Sequence, residues 1–321
     1  MWSRLTLFAG NSNPSLADKV CSRLEIALGK ALVTRFSDGE IRVEIGENVR
    51  GKDTYVLQST CPPVNENLME LLVIMDALKR ASARRINAII PYYGYGRQDQ
   101  KDKPRVPLAA KVVADLLSVA GAHRVITIDL HADQIQGFFD IPVDHLFGTI
   151  ILSDALRKEI RGDEIVVAPD SGGTERSRLF ASRLNLDLAL MDYREENGTY
   201  PKIVGNVKGK KVIIVDDMID SGRTVIRTTN AAMSAGAEAV EVCVVHPVLS
   251  GSSVEMIEAS PISKLLVTDT IPLSENAKAS KKIHTVSIAP MLAEAIKRVH
   301  FEESISSICN EILDHRRTGS H

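Results

Sequence analysis

Residues 212–225 have the sequence Val-Ile-Ile-Val-Asp-Asp-Met-Ile-Asp-Ser-Gly-Arg-Thr-Val, and the rest of the chain can be organised around them. The four apolar residues 212–215 predict a buried parallel strand that ends at Asp216 and Asp217. Residues 221–224 then turn the chain into an amphipathic segment at 225–235, which predicts a helix. Ligands of open α/β sheets usually bind at such a strand-to-helix turn.

The residue types of this turn suit a phosphorylated sugar. Backbone N–H groups at a helix start can hold a phosphate dianion, Ser221 and Thr224 add hydroxyl donors, and Gly222 lets the backbone approach a ligand. The paired carboxylates can accept hydrogen bonds from vicinal sugar hydroxyls, or hold Mg²⁺ through its water shell. The segment resembles the phosphoribosyl-diphosphate loop of type I phosphoribosyltransferases and their relatives. An acidic strand end before an ordinary helix cap is the alternative, but the whole pattern is too specific for it.

Composition and charge set the class of protein. A chain of 321 residues with 44% hydrophobic and 25% charged residues predicts a soluble globular protein of roughly two domains. The formal charge of −2 gives no reason to expect a nucleic-acid or membrane partner. No apolar signal segment follows Met1, and no apolar run approaches a membrane span. Four widely spaced cysteines fit a reducing cytoplasm better than disulfides or a zinc site: Cys21, Cys61, Cys243 and Cys309.

Strand and helix patterns alternate along the chain. In the first half they predict strands at 5–9, 31–35, 41–45, 53–58, 86–90 and 125–129, and helices at 15–28, 68–78 and 107–120. In the second half they predict further strands at 165–168, 186–191, 240–246 and 264–268, and helices at 174–184, 289–299 and 304–313. This alternation favours parallel α/β structure with right-handed crossovers. We place the domain boundary near residues 145–150.

Further motifs give the chain, from Leu5 to about Ser307, a resemblance to ribose-phosphate diphosphokinases (PRPP synthetases) of the phosphate-activated class. They are Phe-Ser-Asp-Gly-Glu at 36–40, Arg-Gln-Asp at 97–99, Asp-Leu-His-Ala-Asp-Gln-Ile-Gln-Gly-Phe-Phe at 129–139, Pro-Asp-x-Gly-Gly at 169–173 and the turn at 216–224. The resemblance implies transfer of the diphosphoryl group of ATP to O1 of ribose 5-phosphate, giving PRPP and AMP for nucleotide biosynthesis, with Mg²⁺ as cofactor.

The same resemblance implies an α/β fold of two tandem type I phosphoribosyltransferase-like domains, each with a mainly parallel sheet flanked by helices. We expect an N-terminal domain on the ATP side at 1–147 and a ribose 5-phosphate domain at 148–300. A C-terminal helix and tail at 301–321 should pack back on the N-terminal domain. The resemblance also implies a homo-hexamer built from dimers, or a hetero-oligomer with a paralogue.

Site residues follow from the resemblance, position by position. The implied ATP-binding residues are Phe36, Asp38, Gly39, Glu40, Arg97, Gln98 and Asp99, and the implied metal-binding residues are His131 and Asp170. The implied ribose 5-phosphate residues are Asp216, Asp217, Asp220, Ser221, Gly222, Arg223 and Thr224. From residue type alone, a guanidinium and an amide at 97–98 suit phosphate or adenine but equally suit a solvated loop. From residue type alone, Asp38-Gly39 is only a turn signal. A lone histidine such as His131 is, from residue type alone, more often structural than a ligand.

Four more positions match the family's activator site, at which inorganic phosphate binds and ADP competes: Arg50, Ser82, Ser304 and Ser306. We expect phosphate to bind there at a subunit interface. A simple role of Ser304 and Ser306 in capping the last helix fits the sequence equally well.

The loop at 193–201 departs from the family pattern. The resembled loop begins Asp-Lys-x-Arg, whereas this chain has Tyr193 in place of the lysine and Glu195 in place of the arginine. Because phosphoryl-type transfer depends on cations around the developing charge, Arg194 and Lys202 become the candidate catalytic residues. Three functions stay open: an active diphosphokinase, a catalytically weak or inactive subunit that assembles with an active paralogue, and a phosphoribosyltransferase that uses PRPP. The last would leave the ATP motifs and His131 without a role.

Overall fold

The computed structural model describes residues 5–192, 202–305 and 308. The chain forms two compact units, one of Met1–Phe147 with Ile288–His321 and the other of Gly148–Ser287. Among the described residues, no helix has both the length and the apolar character that crossing a membrane requires.

The elements alternate as predicted. Up to residue 147 they are β1 (Leu5–Ala9), α1 (Pro14–Leu24), β2 (Ala31–Arg35), β3 (Ile41–Ile45), β4 (Asp53–Leu57), α2 (Val64–Arg80), β5 (Arg85–Ile90), α3 (Ala109–Ala120), β6 (Arg124–Ile128), a 3-10 helix (Asp133–Phe138) and β7 (Val143–Leu146). Beyond it they are α4 (Gly148–Leu156), β8 (Ile165–Ala168), α5 (Thr174–Leu184), β9 (Asp187–Asp192), β10 (Lys202–Val204), β11 (Lys211–Ile219), α6 (Arg223–Ser234), β12 (Ala239–Pro247), α7 (Ser253–Ala259), β13 (Ile262–Thr268), α8 (Glu275–Ala279), β14 (Ile283–Val286) and α9 (Ala289–Phe301).

The first unit is built on a five-stranded parallel sheet in the order β1-β4-β5-β6-β7. Its central strands are buried, because helices cover parallel sheets and leave long apolar runs inside. Strands β2 and β3 pair antiparallel in a separate two-stranded sheet, and their alternating exposure matches the alternating sequence.

The second unit is built on a seven-stranded sheet in the order β10-β9-β8-β11-β12-β13-β14. All pairs are parallel except β10 with β9 at the edge. Strand β11 lies inside the sheet between β8 and β12, so the apolar run that opens the central motif is buried on both faces.

Three boundaries differ from the sequence predictions. Strand β11 continues past the apolar run to Ile219, because Asp216 and Met218 still pair with β12. Helix α1 stops at Leu24 instead of reaching residue 28, since Glu25 takes the left-handed conformation, with φ 55°, and its N–H bonds back to the last turn. Helix α9 belongs to the first unit, not to a domain ending at residue 300, because its apolar face packs against α1.

The sequence did not predict several of the elements, among them β7, α4, α7, α8 and β14. They are short, and the edge strands among them carry polar residues. Neither the helical period of 3.6 residues nor the strand period of two residues therefore stands out in the sequence. The predicted helix at 304–313 falls largely outside the described residues.

Candidate active site

The second unit brings its motif residues to one edge of the sheet. Strands β8 and β11 pair in parallel, with Val212 opposite Ile165 and Ile214 opposite Val167. Their carboxyl ends therefore lie side by side, and so do the turn that contains Asp170 and the motif that follows residue 215. A ligand at this edge would occupy the usual binding position of an open α/β sheet.

Asp216 and Asp217 lie within β11 and are almost fully buried, with 9% and 4% of their surfaces exposed. The Asp217 N–H donates to Asp216 Oδ1 at 2.9 Å. Burial, and then the neighbouring Asp217 carboxylate, raise the pKa of Asp216 well above its ordinary value, while Arg176 opposes the shift. Two adjacent acceptors are thus held in a fixed position at the carboxyl edge.

Arg176 is a residue of this site that the sequence did not predict. It lies in the first turn of α5, and its Nη1 is 3.8 Å from Asp216 Oδ1 and 3.8 Å from Asp217 Oδ1. Arginines are common on helices, so no local pattern marks this one. The pairing of β8 with β11 is what brings it to the paired carboxylates.

The turn after β11 has the conformation that a phosphate loop needs. Gly222 has φ 76° and immediately precedes α6, which begins at Arg223. The first N–H groups of a helix have no partner within the helix, so they are free to face an anion. Ser221, Arg223 and Thr224 are exposed beside them, as a loop that binds a phosphate dianion requires.

The loop after β12 holds this turn in place. Leu249 N donates to Ile219 O at 2.9 Å, and Ser250 N donates to Asp220 O at 3.1 Å. The Ser250 hydroxyl also donates to Asp220 Oδ1. Ser250 is a second residue that the sequence did not predict, because only the neighbouring positions of β11 and β12 bring the two loops together.

The two predicted metal-binding residues lie in different units. Asp170 Oδ1 accepts a hydrogen bond from Gly173 N at 2.8 Å and is half-buried beside β8, while His131 is exposed after β6. No cluster of three or more potential metal ligands occurs within residues 5–192, 202–305 and 308. Mg²⁺ commonly binds through one or two carboxylates and the phosphates of a substrate, so the oxygen donors of Asp170 fit this ion.

The predicted ATP residues at 36–40 form the tip that connects β2 to β3. Phe36 N donates to Glu40 O at 2.8 Å, and the Asp38 carboxylate accepts from Glu40 N at 3.0 Å. Gly39 takes φ 95°, with no heavy atom within 4 Å of the position of an added Cβ. Phe36 is 51% exposed, with the Arg42 guanidinium 5.7 Å from its ring centre. The tip between β2 and β3 therefore carries an exposed aromatic ring.

The other predicted ATP residues follow β5. Arg97 and Gln98 are exposed, whereas Asp99 is 8% exposed and accepts from Gln134 Nε2 at 2.9 Å. An added Cβ at Gly96 would lie 3.7 Å from His131 Cβ, so the exposed histidine adjoins this segment. The structure therefore brings together two motifs that are separate in the sequence.

Three of the predicted activator residues, Arg50, Ser82 and Ser304, lie at the opposite, amino edge of the first sheet. Gly51 N donates to Ser82 O at 3.1 Å, which joins the segments of Arg50 and Ser82, and Arg298 Nη1 donates to Ser304 O at 2.9 Å. Ser306 lies outside the described residues. A pocket of about 540 Å³ opens at this edge, lined by Arg85, Asn87, His123, Arg124, Asp144, Val299, Glu302, Glu303 and Ile305.

Of the two candidate catalytic residues, Lys202 is among the described residues and Arg194 is not. Arg194 and the rest of 193–201 lie outside the described residues. Lys202 is exposed at the start of β10, where it stands opposite Asp192 in the antiparallel pair with β9. It therefore adjoins the loop at its carboxyl-terminal end.

Comparison with known proteins extends over nearly the whole chain. Residues 5–121 match the N-terminal domain of ribose phosphate pyrophosphokinase, and residues 194–310 match the phosphoribosyl synthetase-associated domain. Ribose-phosphate pyrophosphokinase of Caldanaerobacter subterraneus subsp. tengcongensis is 52% identical over 308 residues, covering 95% of this chain and 97% of the relative. The corresponding protein of Burkholderia pseudomallei is 51% identical over 311 residues, covering 96% and 98%.

The crystal structure of phosphoribosylpyrophosphate synthetase from Mycobacterium smegmatis superimposes with a TM-score of 0.89 at 41% identity. It covers 94% of this chain and 100% of that chain. This match confirms the predicted fold class, two phosphoribosyltransferase-like domains built on parallel sheets. The chain belongs to the ribose-phosphate pyrophosphokinase (PRPP synthetase) family of enzymes.

Proposed function

We propose that this chain transfers the diphosphoryl group of ATP to O1 of ribose 5-phosphate, with PRPP and AMP as products. The observation that carries the proposal is the pair of buried carboxylates, Asp216 and Asp217, beside the left-handed Gly222 turn. Acceptors for sugar hydroxyls and donors for a phosphate stand there a few residues apart, which matches the two ends of ribose 5-phosphate. The names of the relatives support the same activity.

In this assignment the sugar is held at both ends. Asp216, Asp217 and Asp220 accept hydrogen bonds from its hydroxyls, and residues 221–224 surround its 5-phosphate with N–H and hydroxyl donors. The O1 hydroxyl then attacks the β-phosphorus of ATP and releases its proton to solvent, the bond from that phosphorus to the oxygen bridging the α- and β-phosphates breaks, and AMP leaves with the bridging oxygen. Because a rigid turn fixes the sugar, much of the entropic cost of orienting O1 is met before the reaction.

The ATP side rests on the first unit. Arg97 offers a guanidinium for phosphate oxygens and Gln98 an amide for phosphate or adenine. Mg²⁺, which His131 and Asp170 would hold, would neutralise part of the charge on the ATP phosphates. The tip at 36–40 would act in the ATP site of a neighbouring subunit of a hexamer, or of a paralogue in a hetero-oligomer.

A second candidate function is a weak or inactive subunit that assembles with an active paralogue. The observation that favours it is the sequence of the loop, where Tyr193 and Glu195 replace two cations. A carboxylate beside the transferring group raises the barrier, since the developing charge there is negative.

One experiment separates the two candidates. The purified chain is incubated with ATP, Mg²⁺, inorganic phosphate and ribose 5-phosphate, and AMP formation is measured beside calorimetric binding of ribose 5-phosphate. We expect slow AMP formation that depends on ribose 5-phosphate. Asp220→Ala should weaken sugar binding by about tenfold with the fold intact, because the side chain is partly exposed and packs little. Sugar binding without AMP formation would favour the inactive subunit, and unchanged affinity in the Asp220 variant would contradict the assignment of this turn.

Regulation by inorganic phosphate is a separate part of the proposal. Arg50, Ser82 and Ser304 lie on segments of the amino edge of the first sheet, away from the carboxyl edge that carries the ATP motifs. We expect Arg50→Ala to abolish stimulation by phosphate or phosphate-dependent assembly. Arg80→Ala is the matched control, because Arg80 is an exposed arginine of the same unit that pairs with Asp76. Full stimulation of the Arg50 variant would exclude this site.

A further inference from the structure

Three arginines of α5 have different surroundings. Arg178 is 62% exposed at its side chain and pairs with Glu175 in the same helix. Arg183 is buried and donates to Ser153 Oγ at 3.0 Å and to Asp154 Oδ1 at 3.3 Å, which ties α5 to α4. Arg176 alone among these three points its guanidinium at the paired carboxylates of β11.

The position of Arg176 is unfavourable for a cation in terms of its own helix. It lies in the first turn of α5, where the helix dipole favours negative charge. Its side chain is only 15% exposed, so the guanidinium has also lost most of its hydration. The charge interactions with Asp216 and Asp217 offset part of both costs.

The guanidinium spans the two carboxylates. Nη1 lies 3.8 Å from one oxygen of each, too far for a good hydrogen bond but close enough for a strong charge interaction at a buried position. It also passes over the turn after β8, since an added Cβ at Gly173 would lie 3.9 Å from Nη1 and 3.6 Å from Asp170 Oδ1. The Arg176 guanidinium therefore lies against two carboxylates and close to the turn that carries Asp170.

This charge balance matters for an anionic substrate. Ribose 5-phosphate brings a phosphate dianion to a turn a few residues from the paired carboxylates, and like charges in a poorly hydrated site repel strongly. A fixed cation 3.8 Å from one oxygen of each carboxylate lowers this repulsion.

We propose that Arg176 is a positioning residue of the sugar site: by spanning Asp216 and Asp217 it fixes their oxygens and balances their charge for ribose 5-phosphate. This inference rests on the proposed ribose 5-phosphate site. Arg176 does not touch the reacting atoms and acts through the two carboxylates. Its loss should therefore weaken binding of the sugar and leave the affinity for ATP unchanged.

The test measures binding of ribose 5-phosphate by calorimetry without ATP, so turnover is not needed. We expect Arg176→Gln to raise Kd by about thirtyfold and Arg176→Lys by about fivefold, since lysine keeps the charge but not the planar fork. Arg178→Gln is the exposed control and Arg183→Gln the buried structural control. Both should bind within about twofold of wild type, although Arg183→Gln should unfold at a lower temperature. The KM for ATP, measured where the variants turn over, should not change.

Affinity of Arg176→Gln within about twofold of wild type would overturn the inference, as would equal losses in Arg176→Gln and Arg183→Gln. If Arg176→Gln does not fold, Arg176→Lys decides, and wild-type affinity of that variant overturns the inference. Wild-type protein that binds no ribose 5-phosphate would refute the proposed function and this inference together. Binding by wild type that persists in the variants refutes the inference alone.

Discussion

The side chains at the carboxyl edges of the two large sheets differ in how far they are exposed. In the second sheet Asp216 and Asp217 are buried and lie 3.8 Å from the guanidinium of Arg176. In the first sheet Arg97 and His131 are exposed. The same kind of edge thus carries a buried set of acceptors in one unit and an exposed set of basic side chains in the other.

The difference indicates which of the two proposed substrate sites is formed in advance. Groups held by burial and by neighbours do not lose rotamer freedom when a ligand binds, whereas each exposed side chain costs about 0.5–1.5 kcal/mol to immobilise. The sugar site should therefore tolerate few substitutions. The ATP-side residues should act singly, each substitution removing its own contact and little else.

The largest expected effect comes from the loop at 193–201. If the sugar site is already complete, restoring the cations with Tyr193→Lys and Glu195→Arg should raise kcat by on the order of 10³ and leave the KM for ribose 5-phosphate unchanged. The matched control is Met233→Lys with Glu275→Arg, which makes the same changes of charge at two surface positions of the second unit. Substantial wild-type activity that survives both Arg194→Ala and Lys202→Ala would refute the requirement for loop cations.

The next effect tests the buried acceptors. Asp217→Asn should raise the KM for ribose 5-phosphate by about 100-fold, because one oxygen of a buried acceptor becomes an NH₂ donor and the charge that attracts Arg176 is lost. The KM for ATP should stay within about twofold of wild type. Steady-state kinetics with each substrate varied in turn gives both values. An equal rise in the KM values for ribose 5-phosphate and ATP would contradict the assignment of the sugar to the carboxyl edge of the second sheet.

The exposed edge should give a smaller and more local effect. Arg97→Ala should raise the KM for ATP by about tenfold through loss of one charge-assisted contact, with no change in thermal stability. Arg80→Ala serves as the control on the same unit. A fall in Tm of the Arg97 variant would show that this residue is structural and would weaken the comparison.

The smallest effect concerns the stability cost of the buried pair. Burial and Asp217 raise the pKa of Asp216 in the folded state, so the folded protein holds a proton that the unfolded chain releases at a lower pH. Stability should accordingly fall as pH rises from the ordinary carboxyl pKa through the raised value. Asp216→Asn should flatten this dependence and raise Tm by about 2–4 °C at neutral pH, while weakening sugar binding.

Scanning calorimetry of the wild type and Asp216→Asn at several pH values measures this effect. Asp144 offers a comparison, because burial raises its pKa too but Arg124 pairs with it at 2.6 Å. A lower Tm of Asp216→Asn at neutral pH would show that the paired carboxylates stabilise the fold and do not destabilise it.

The sequence predicted those parts of the fold that rest on local pattern. Buried strands such as β8 and β12 carry continuous apolar runs, and the turn around Gly222 carries its own residue signature. The extent of β11 was not predictable in this way, because acidic residues disfavour a strand locally and pairing with β12 overrides that preference.

The site residues that the sequence did not predict are placed by contacts between segments that are far apart in the sequence. Arg176 reaches the carboxylates only because β8 lies beside β11, and Ser250 reaches Asp220 only because β12 lies on the other side. Neither residue belongs to a recognisable motif. The roles of the predicted residues themselves remain predictions that the experiments above would test.

The return of α9 to the first unit has a consequence for how the chain is made. Residues 148–287 leave the ribosome between the two halves of the first unit, which delays α9 by on the order of 10 s at ordinary rates of translation. During that interval α1 lacks the partner against which it packs, and Tyr55 lacks Ile296 O, the acceptor of its hydroxyl hydrogen bond. The second unit can therefore finish folding while the first unit still lacks its last helix, α9. This holds although most of the first unit is synthesised earlier. A nascent chain stopped before Ile288 should carry a completed sugar domain beside an N-terminal domain open along the face of α1.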